Sequence, residues 1–417
     1  MKNKKVLILS HNFTNTGGPR AILELAKIFK NNGWKPLVVG FGHGSELREE
    51  FKANGIKAIK IKKYLIPLLT FISKFFNLTI ANTITMGKEV LYLSKHSKTP
   101  LVWWIHEAGL IENLNKKEKI LFEKALNSCS EVYAVSDYAK TFIDKYRKDV
   151  KVLNFGIQDE YQRFSNIEKV KNDKIKLLMV GDIGKIKGQD IAIKAFLRLP
   201  EEYREKCDFD FIGDFGDLEY KNIIENLVGN TENIHFLGKK VRNEALTILN
   251  NTDIVLFTSR GDSYSIAGIE ALMLNKPLII SNNTGISNVI KKYLPQMVYE
   301  NENNLVEILE KTIDTFEISL DTRKIYLENF SLESFNDFVV KEFIENQKYW
   351  FLYAKINLWL RLRQNLHASN VGMKALDIWA NAQIVLRGVL LLKKLTKIWL
   401  QKLNTLKFFK TIQNQHL

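Results

Sequence analysis

The chain has 417 residues, of which 46% are hydrophobic, and it carries a formal net charge of +15. This length is enough for two ordinary domains, each with its own buried core. Charges and proline interrupt the apolar runs, so no membrane-spanning helix is predicted. Cys129 and Cys207 have neither the spacing of a disulfide framework nor that of a paired metal site, which favours a reducing compartment. The charge predicts an anionic partner, which leaves nucleic acid, anionic membranes and phosphorylated substrates as candidates.

The first part of the chain alternates short apolar runs with amphipathic segments. Residues 4–10 are predicted to form a strand and residues 14–19 a turn, and a helical period follows from Ala21 to Phe29. A second strand at 36–40 completes a strand–helix–strand unit, which predicts parallel strands joined by a right-handed crossover. Further strands are predicted at 101–105, 131–135 and 151–154.

The second part of the chain repeats this pattern after a polar segment. Residues 158–173 are rich in charge and have no period, which predicts a linker between a first lobe, 1–157, and a second lobe, 174–330. The pattern therefore predicts two α/β lobes, each with a doubly wound parallel sheet. In the second lobe we expect strands at 176–180, 209–212, 233–236, 254–258 and 277–281, with a loop at 181–188 and a helix at 189–199.

Two such lobes would face each other across a cleft, because ligands of these sheets bind beyond the carboxyl ends of the strands. Gly17 and Gly18 follow the first strand, where small residues let backbone N–H groups approach a phosphate or a sugar. A purely structural turn would have the same two glycines, so both interpretations remain open. The loop lacks the G-x-G-x-x-G pattern, and no acid closes the second strand, which disfavours a dehydrogenase.

A strand end, a loop of small residues and a helix come together in residues 258–272. Two carboxylates, Asp262 and Glu270, bracket residues 265–268. A nucleotide sugar needs acceptors for its hydroxyls and backbone donors for its phosphates, and this segment offers both. Taken singly, Asp262 is equally well a helix cap, and Glu270 a first-turn glutamate that offsets the helix dipole.

The segment from Ser259 to Ala271 resembles a motif of the retaining glycosyltransferases of family four, which have the two-lobed GT-B fold. In many members of that family this motif has the form S-R-D-D-P-x-P-x-x-x-x-E-A-M. The resemblance extends to about Asn346 and implies two Rossmann-like lobes that face a central cleft. Other segments that resemble family motifs, in the same order, are 10–19, 102–107, 134–136, 154–157, 236–238 and 275–279.

The resemblance also implies roles for the bracketed segment. Asp262 would bind hydroxyls of the donor sugar, and Glu270 would bind the ribose. Backbone amides near Ser265, Ile266 and Ala267 would meet the diphosphate. The donor lobe is therefore expected to be the second one, and the acceptor lobe the first.

The loop at 181–188 resembles the family's basic loop, G-R-x-x-x-x-K-G, only in part. Lys187 matches the lysine, which would neutralise the departing diphosphate as the glycosidic bond breaks. Asp182 stands where many members have an arginine, and Lys185 is the candidate replacement. Asn288 likewise replaces a glutamate of the family's G-G-x-x-E loop, which leaves donor recognition there open.

His106 ends a predicted strand of the first lobe beside Glu107. Its position makes it a candidate catalytic residue that touches the donor sugar or the acceptor from across the cleft. A loop histidine with satisfied hydrogen bonds is the alternative, and His11 has the same two interpretations. No pair of aspartates suits a metal, so neither a metal nor another cofactor is expected, because a lysine and a helix N-terminus take the place of the divalent ion.

The carboxyl-terminal part of the chain has a different composition. Residues 331–347 resemble the family's closing helix, and residues 348–417 hold twelve Lys and Arg but one acid, Asp377. Apolar residues recur there at three- and four-residue steps, which predicts a basic amphipathic helical tail. Such a tail would bind an anionic membrane, or it would pack on the lobes or on another subunit. Nucleic acid is not an expected partner, because no recognised binding motif accompanies the charge.

The leading hypothesis is a cytoplasmic, retaining glycosyltransferase of the hexosyltransferase type, peripheral to the inner face of the plasma membrane. It would move a sugar from a nucleoside-diphosphate sugar to a glycan acceptor, expected to be lipid-linked, in cell-surface polysaccharide or glycolipid synthesis. Asp182 and Asn288 motivate an alternative, a catalytically silent subunit with the same fold that supports a partner transferase. A basic nucleic-acid-binding protein is a further alternative.

Overall fold

The computed structural model of the protein describes residues 4–167, 173–316 and 320–345. In this part of the chain, seven parallel strands form the first sheet, in the order β3-β2-β1-β4-β5-β6-β7. The strand order reverses between β1 and β4, which is where doubly wound sheets bind ligands. The strands are β1 Lys5–Ser10, β2 Lys35–Gly40, β3 Lys57–Lys60, β4 Leu78–Asn82, β5 Leu101–Ile105, β6 Glu131–Ala134 and β7 Lys151–Val152.

The second sheet, counted over the same described residues, has six parallel strands in the order β10-β9-β8-β11-β12-β13. Its reversal lies between β8 and β11, so the two sheets have the same layout. Its strands are β8 Ile175–Val180, β9 Cys207–Ile212, β10 Ile234–Phe236, β11 Ile254–Phe257, β12 Leu278–Ser281 and β13 Val298–Tyr299.

Helices connect the strands and cover both faces of each sheet. The predicted period of α1 is confirmed, because Ala21, Ile22, Leu25, Ala26 and Phe29 are all buried. The helices are α1 Gly17–Asn31, α2 Glu46–Ala53, α3 Ile66–Ser73, α4 Gly87–His96, α5 Lys116–Ser128, α6 Asp137–Ile143, α7 Tyr161–Ser165, α8 Gln189–Leu197, α9 Glu201–Glu205, α10 Leu218–Val228, α11 Arg242–Asn250, α12 Ile266–Met273, α13 Ser287–Tyr293, α14 Glu302–Thr315, α15 Thr322–Asn329 and α16 Leu332–Val339, the last continued by a π-helix, Val340–Glu345.

The predicted fold class is confirmed by these two parallel sheets and their flanking helices. The ten predicted strands are present with ends shifted by at most two residues, whereas β3, β4 and β13 were not predicted. Residues 158–173, expected to be an irregular linker, contain the short helix α7. Their described part is also held to the second lobe, because Glu160 pairs with Arg242 and Asp159 with Arg323. The predicted tail, 348–417, lies outside the described residues.

Two tryptophans in the middle of the first sheet form hydrogen bonds with segments at the carboxyl edge of that sheet. Trp103 and Trp104 of β5 are fully buried on opposite faces, as expected for a parallel strand covered on both sides. The Trp103 indole N–H donates to the Thr83 carbonyl at 2.8 Å, and the Trp104 indole N–H donates to the Leu153 carbonyl at 3.1 Å. These bonds hold the segments that follow β4 and β7 at the carboxyl edge of the sheet.

Both cysteines are buried, and Cys129 Sγ donates to the Ala125 carbonyl at 3.2 Å. Within the described ranges, no helix is long and apolar enough to cross a membrane.

Candidate active site

One loop of the second lobe, residues 261–265, joins the two lobes at the carboxyl ends of their strands. The Ala108 N–H of the first lobe donates to Ser263 Oγ at 2.9 Å, and Ser136 Oγ donates to the Ser263 carbonyl at 2.7 Å. The Tyr264 hydroxyl donates to the Phe155 carbonyl, and the two rings pack with their centroids 4.4 Å apart. The loop that carries Asp262 is therefore held by both lobes.

Lys187 and Asp262, predicted separately as site residues, form an ion pair. Lys187 Nζ lies 2.6 Å from Asp262 Oδ2, and the two side chains are 38% and 15% exposed. Gly188 sets the position of Lys187, because it adopts a left-handed conformation with φ of 76°. A Cβ at Gly188 would lie 2.3 Å from the Thr258 carbonyl oxygen, so this contact between the two loops requires glycine.

The backbone around Asp262 fixes the orientation of its carboxylate. The Asp262 N–H donates to the Asn283 carbonyl at 3.1 Å, and its carbonyl accepts from the Gly285 N–H at 2.7 Å. Asp262 Oδ1 accepts from the Tyr264 N–H at 3.2 Å, which leaves Oδ2 to face Lys187. Asp262 is not a helix cap, because Ser265 occupies the N-cap position of α12.

The first turn of α12 offers backbone donors at this position. Ser265 is buried, and its side chain makes no capping hydrogen bond in the described structure. The N–H groups of Ile266 and Ala267 therefore suit an anionic oxygen. Across the cleft lies Gly17, where a Cβ would come 3.6 Å from Ile266 Cδ1. The starts of α1 and α12 thus face each other.

Arg260 ties the basic loop to the Asp262 loop, and sequence reasoning assigned it no role. Its guanidinium makes two parallel hydrogen bonds to the Asp190 carboxylate, at 2.8 and 2.7 Å, and a third to the Lys185 carbonyl at 2.7 Å. Burial alone would raise the pKa of Asp190, but Arg260 and the Tyr220 hydroxyl hold it below its usual range. Arg260 thus links the Asp262 loop to the basic loop that carries Lys187.

The two unusual residues of the basic loop, Asp182 and Lys185, are both exposed. The Asp182 carbonyl accepts from the Gln189 side chain at 3.2 Å, a bond that holds the backbone of this loop. The contact found for Lys185 involves its carbonyl, whereas its side chain extends into solvent. That Lys185 replaces the missing arginine remains a prediction.

Glu270 lies in the middle of α12, so it is not a first-turn glutamate. Arg242 Nε donates to Glu270 Oε1 at 2.8 Å, and the same guanidinium pairs with Glu160. Burial raises the pKa of Glu270, and Arg242 offsets that rise only in part. Glu270 is thus held by a guanidinium that it shares with Glu160.

His106 lies just beyond β5 with its ring against two aromatic side chains. Ring centroids are 4.4 Å apart for His106 and Trp104, and 6.2 Å apart for His106 and Phe155. Its Nε2 is buried and has no hydrogen-bond partner within the described part of the chain. Burial, with a smaller effect of His11, lowers the pKa of His106 to about 3. His106 is therefore a neutral imidazole at physiological pH, with a ring nitrogen suited to a hydroxyl.

The loop after β4 lies beside His11 and Gly18. A Cβ at Gly18 would come 3.2 Å from Thr83 Cγ2 and 3.6 Å from His11 Cε1. Asn82 links these residues, because its side chain donates to the Gly18 carbonyl at 3.2 Å and accepts from the His11 N–H at 3.3 Å. Thr83 has φ of +65°, a strained conformation for a β-branched residue that clusters at functional sites.

Glu107 braces this strained segment. Its Oε2 accepts from the Ile84 N–H at 2.8 Å and from the His106 N–H at 3.2 Å. Burial raises the pKa of Glu107 to about 7, although these backbone donors oppose the rise. The Glu107 carboxylate, whose pKa burial raises, thus contacts the backbone of His106.

Several residues of this arrangement were not predicted. Arg260 falls inside the matched motif, so its position was visible in the sequence although its partner Asp190 was not. Asn82 is the last residue of β4 and Thr83 follows it, but this strand was missed and no motif marks the two residues. Where the structure describes the chain, no three His, Cys, Asp or Glu side chains come together as metal ligands. Activity without a metal stays a prediction.

Two family models match consecutive parts of the chain. The model described as glycosyl-transferase family 4 matches residues 2–178, and the one described as glycosyl transferases group 1 matches residues 160–329. Together the two matches cover both lobes, including Gly17, His106, Lys187, Asp262 and Glu270.

The chain is similar in sequence to a curated glycosyltransferase and in fold to a solved structure. An uncharacterised glycosyltransferase of Methanocaldococcus jannaschii is 30% identical over 231 residues, which are 52% of this chain and 57% of that protein. The chain thus spans little more than half the length of this curated relative. The Anabaena protein HepE, solved with UDP and glucose, superposes with a TM-score of 0.66 at 17% identity, over 81% of this chain and 99% of its own.

A lipopolysaccharide outer core galactosyltransferase superposes with a TM-score of 0.64 at 15% identity, over 81% of this chain and 98% of its own. At such identities the likeness of these solved structures concerns the fold alone. The two family models, the two parallel sheets and the order of the motifs agree, and the chain belongs to the group 1 glycosyltransferases with the GT-B fold.

Proposed function

We propose that this protein transfers a sugar from a nucleoside-diphosphate sugar to a glycan acceptor. The observation that carries the proposal is the Lys187–Asp262 pair beside the first turn of α12. A cation, a carboxylate and free backbone donors at one place suit the diphosphate and the hydroxyls of such a donor.

In the proposed reaction, the bond between the sugar C1 and the diphosphate oxygen breaks, and its electron pair stays on the diphosphate. The acceptor hydroxyl oxygen bonds to C1, and its proton leaves with the diphosphate. Lys187 and the N–H groups of Ile266 and Ala267 stabilise the negative charge that grows on the leaving group. Asp262 binds sugar hydroxyls through the oxygen that Lys187 contacts in the free protein, and Glu270 binds the ribose.

The first lobe would bind the acceptor. His106 stays neutral, so we propose that its Nε2 orients a hydroxyl of the donor sugar or of the acceptor and does not act as a cation. Retention of configuration and a hexosyl donor are proposed from the resemblance to family four. A uridine diphosphate sugar is the first donor to test, since HepE was solved with UDP and glucose. A lipid-linked glycan, met at a cytoplasmic membrane surface, is the proposed acceptor.

The test uses the full chain and a panel of nucleoside-diphosphate sugars. One donor should raise the melting temperature, since ligand at 100 times its dissociation constant adds about 2.7 kcal/mol of stability. The same donor should release a nucleoside diphosphate when acceptor is present, and NMR of the product should show the anomeric configuration of the donor. A product with the opposite anomeric configuration would show that the proposed retention is wrong.

A catalytically silent subunit is the outcome that would replace this proposal. Asp182 favours it, because an exposed acid stands in the loop that would meet the diphosphate. Such a subunit would bind a nucleotide or a partner protein but release no nucleoside diphosphate with any donor of the panel. The release assay therefore distinguishes the two functions.

A further inference from the structure

The outer side of α3 and its flanks exposes four large apolar side chains, Tyr64, Leu68, Phe71 and Phe75. We call these four residues the α3 face. Their exposed fractions are 72%, 53%, 57% and 62%. They follow one another at steps of four, three and four residues, which places them on one side of the helical segment. The Phe71 and Phe75 rings contact each other edge to face, with centroids 5.7 Å apart.

The inner side of α3 is the more polar one. Leu69, Thr70 and Ser73 are buried. Ser73 Oγ forms a 2.7 Å hydrogen bond with Ser97 Oγ, and the Thr99 hydroxyl donates to the Ser73 carbonyl at 2.7 Å. These bonds fix the helix in an orientation that directs its aromatic side to solvent. A surface helix of a monomer would bury that side, so the α3 face is suited to a partner.

The charged residues that flank the α3 face in the sequence are lysines. Residues 51–88 contain seven lysines and no aspartate or glutamate. Lys62 Nζ lies 6.0 Å from the centroid of the Tyr64 ring, and Lys74 Nζ lies 5.5 Å from that of Phe71. Lys63 is paired with the buried Glu89 at 2.8 Å. Aromatic rings edged by lysines match a surface that is apolar inside and anionic outside.

The α3 face begins at the cleft edge of the first lobe. The segment leaves the carboxyl end of β3, and the Ile61 N–H donates to the carbonyl of Gly40, the last residue of β2. Lys63 is near enough to His11 to contribute to the lowering of its pKa, after the larger effect of burial. A surface bound here would lie beside the lobe proposed to bind the acceptor.

We propose that the α3 face binds the surface of an anionic lipid bilayer. The aromatic rings and Leu68 enter the boundary between headgroups and acyl chains, while Lys62 and Lys74 remain at the lipid phosphates. The eight-residue helix α3 is about 12 Å long, so it lies on the bilayer and does not cross it. A second copy of the chain is the less suitable occupant, since two such basic surfaces repel each other.

This proposal goes beyond sugar transfer, and its test reads membrane contact and not activity. Residues 348–417 are also basic, so sedimentation of the full chain with vesicles would not identify the part that binds. Leu68→Cys labelled with an environment-sensitive dye reports on the face itself, because Cys129 and Cys207 are buried. Leu218→Cys, at a site 79% exposed on α10 of the second lobe, is the matched control.

Each labelled full-length protein is mixed at low salt with vesicles of phosphatidylcholine that contain 30% phosphatidylglycerol, or none. The dye at position 68 should shift to shorter wavelength with the anionic vesicles, and lipids brominated on their acyl chains should quench it. The dye at position 218 should stay unchanged. Adding Phe71→Ser and Phe75→Ser should reduce the shift at least tenfold while the melting temperature stays the same.

Four results would overturn the proposal. A protein that sediments with anionic vesicles while the dye at 68 stays silent binds through another surface. An equal shift with both vesicle types would show that the lysines contribute nothing. A shift that appears without vesicles and grows with protein concentration would assign the face to a second copy of the chain, and one produced only by an acidic protein would assign it to that partner.

Discussion

The two walls of the cleft differ in the charge of their side chains. The second-lobe wall consists of charged side chains that are paired with one another or with Arg242. Its members are Lys187, Asp190, Arg260, Asp262 and Glu270. The first-lobe wall consists of buried and half-buried groups without a paired charge, and His106 among them is neutral. Its members are His11, Gly18, Asn82, Thr83, His106 and Glu107.

This difference matches what each wall would have to bind. A diphosphate carries charge, and charged side chains that are already paired can exchange a partner at modest cost when it arrives. Sugar hydroxyls are neutral, and a buried neutral group with an open hydrogen-bond position discriminates among them strongly. The comparison therefore predicts that substitutions in the second-lobe wall act on the breaking of the bond, while those in the first-lobe wall act on orientation.

The largest effect is expected for Lys187→Ala. Loss of a charge that stabilises the leaving group in the transition state should lower kcat by about 100- to 1000-fold, or about 3–4 kcal/mol. Asp262→Asn and Glu270→Gln should also cut transfer strongly, and the melting temperature should stay near that of the wild type. Steady-state kinetics and calorimetry measure both quantities.

Lys221→Ala is the matched control for this prediction. Lys221 is 41% exposed, close to the 38% of Lys187, and pairs with Glu225 at 3.6 Å on α10. Its substitution should change kcat by less than about twofold, as expected for a surface pair. Equal turnover in the wild type and in all three site variants would show that the second-lobe wall is not part of the active site.

The first-lobe wall is tested by the pH dependence of stability. The pKa of Glu107 rises from 4.5 to about 7 on folding, so between these values the folded state holds a proton that the unfolded chain has lost. The free energy of unfolding should therefore fall as pH rises through this window, by about 3 kcal/mol in total. Glu107→Gln removes this titration, because an amide oxygen still accepts from Ile84 and His106.

The measurement is urea unfolding of the wild type and Glu107→Gln between pH 4.5 and 8. The stability of the wild type relative to the variant should decrease as pH rises and level off only near pH 8, about one unit above the folded-state pKa. A difference that is flat, or that increases with pH, would show that Glu107 is not a buried carboxyl with a raised pKa.

Arg260→Lys tests the link between the two charged loops. A lysine cannot make the two parallel bonds to Asp190 or reach the Lys185 carbonyl at the same time, so about 1–2 kcal/mol of stability should be lost. KM for the donor should rise more than kcat falls, because the loop that carries Lys187 is displaced. Arg198→Lys, which disturbs a single 2.8 Å bond to Asn303, is the control and should leave KM unchanged.

The repeated pattern of strands, loops and helices made the fold predictable from the sequence. Strands such as β5 and β11 are uninterrupted apolar runs and were found within a residue of their ends. The edge strand β3 has two apolar residues between two lysines, and β13 has two residues, so neither gives a clear period. Strand β4 follows directly on the apolar residues of α3, which hid its start.

The candidate site was predictable only where a motif marks it. Lys187, Asp262 and Glu270 were assigned through the resemblance of their segments to family motifs, but the pairing of Lys187 with Asp262 joins residues 75 positions apart. Nothing in the sequence marks Thr83 as a site residue. Its positive φ is held by hydrogen bonds with Trp103 and Trp104 and does not follow from the local propensity of threonine. Long-range partners of this kind require the fold.

The smallest effect is expected from removal of metal ions. If Lys187 and the first turn of α12 balance the charge of the diphosphate, transfer in excess EDTA should equal transfer in its absence, within about 20% of the rate. The comparison of the walls gives the reason: the cation is supplied by a side chain of the second lobe, and the neutral first-lobe wall adds no carboxylate pair to hold an ion. Loss of transfer in EDTA with recovery on adding Mn²⁺ or Mg²⁺ would contradict this, and would place the missing charge on an ion bound together with the donor. The sharper form of the experiment repeats it with Lys187→Ala, whose residual rate should gain more from added Mg²⁺ than the wild type does, because an ion can then occupy the position of the lost ammonium group.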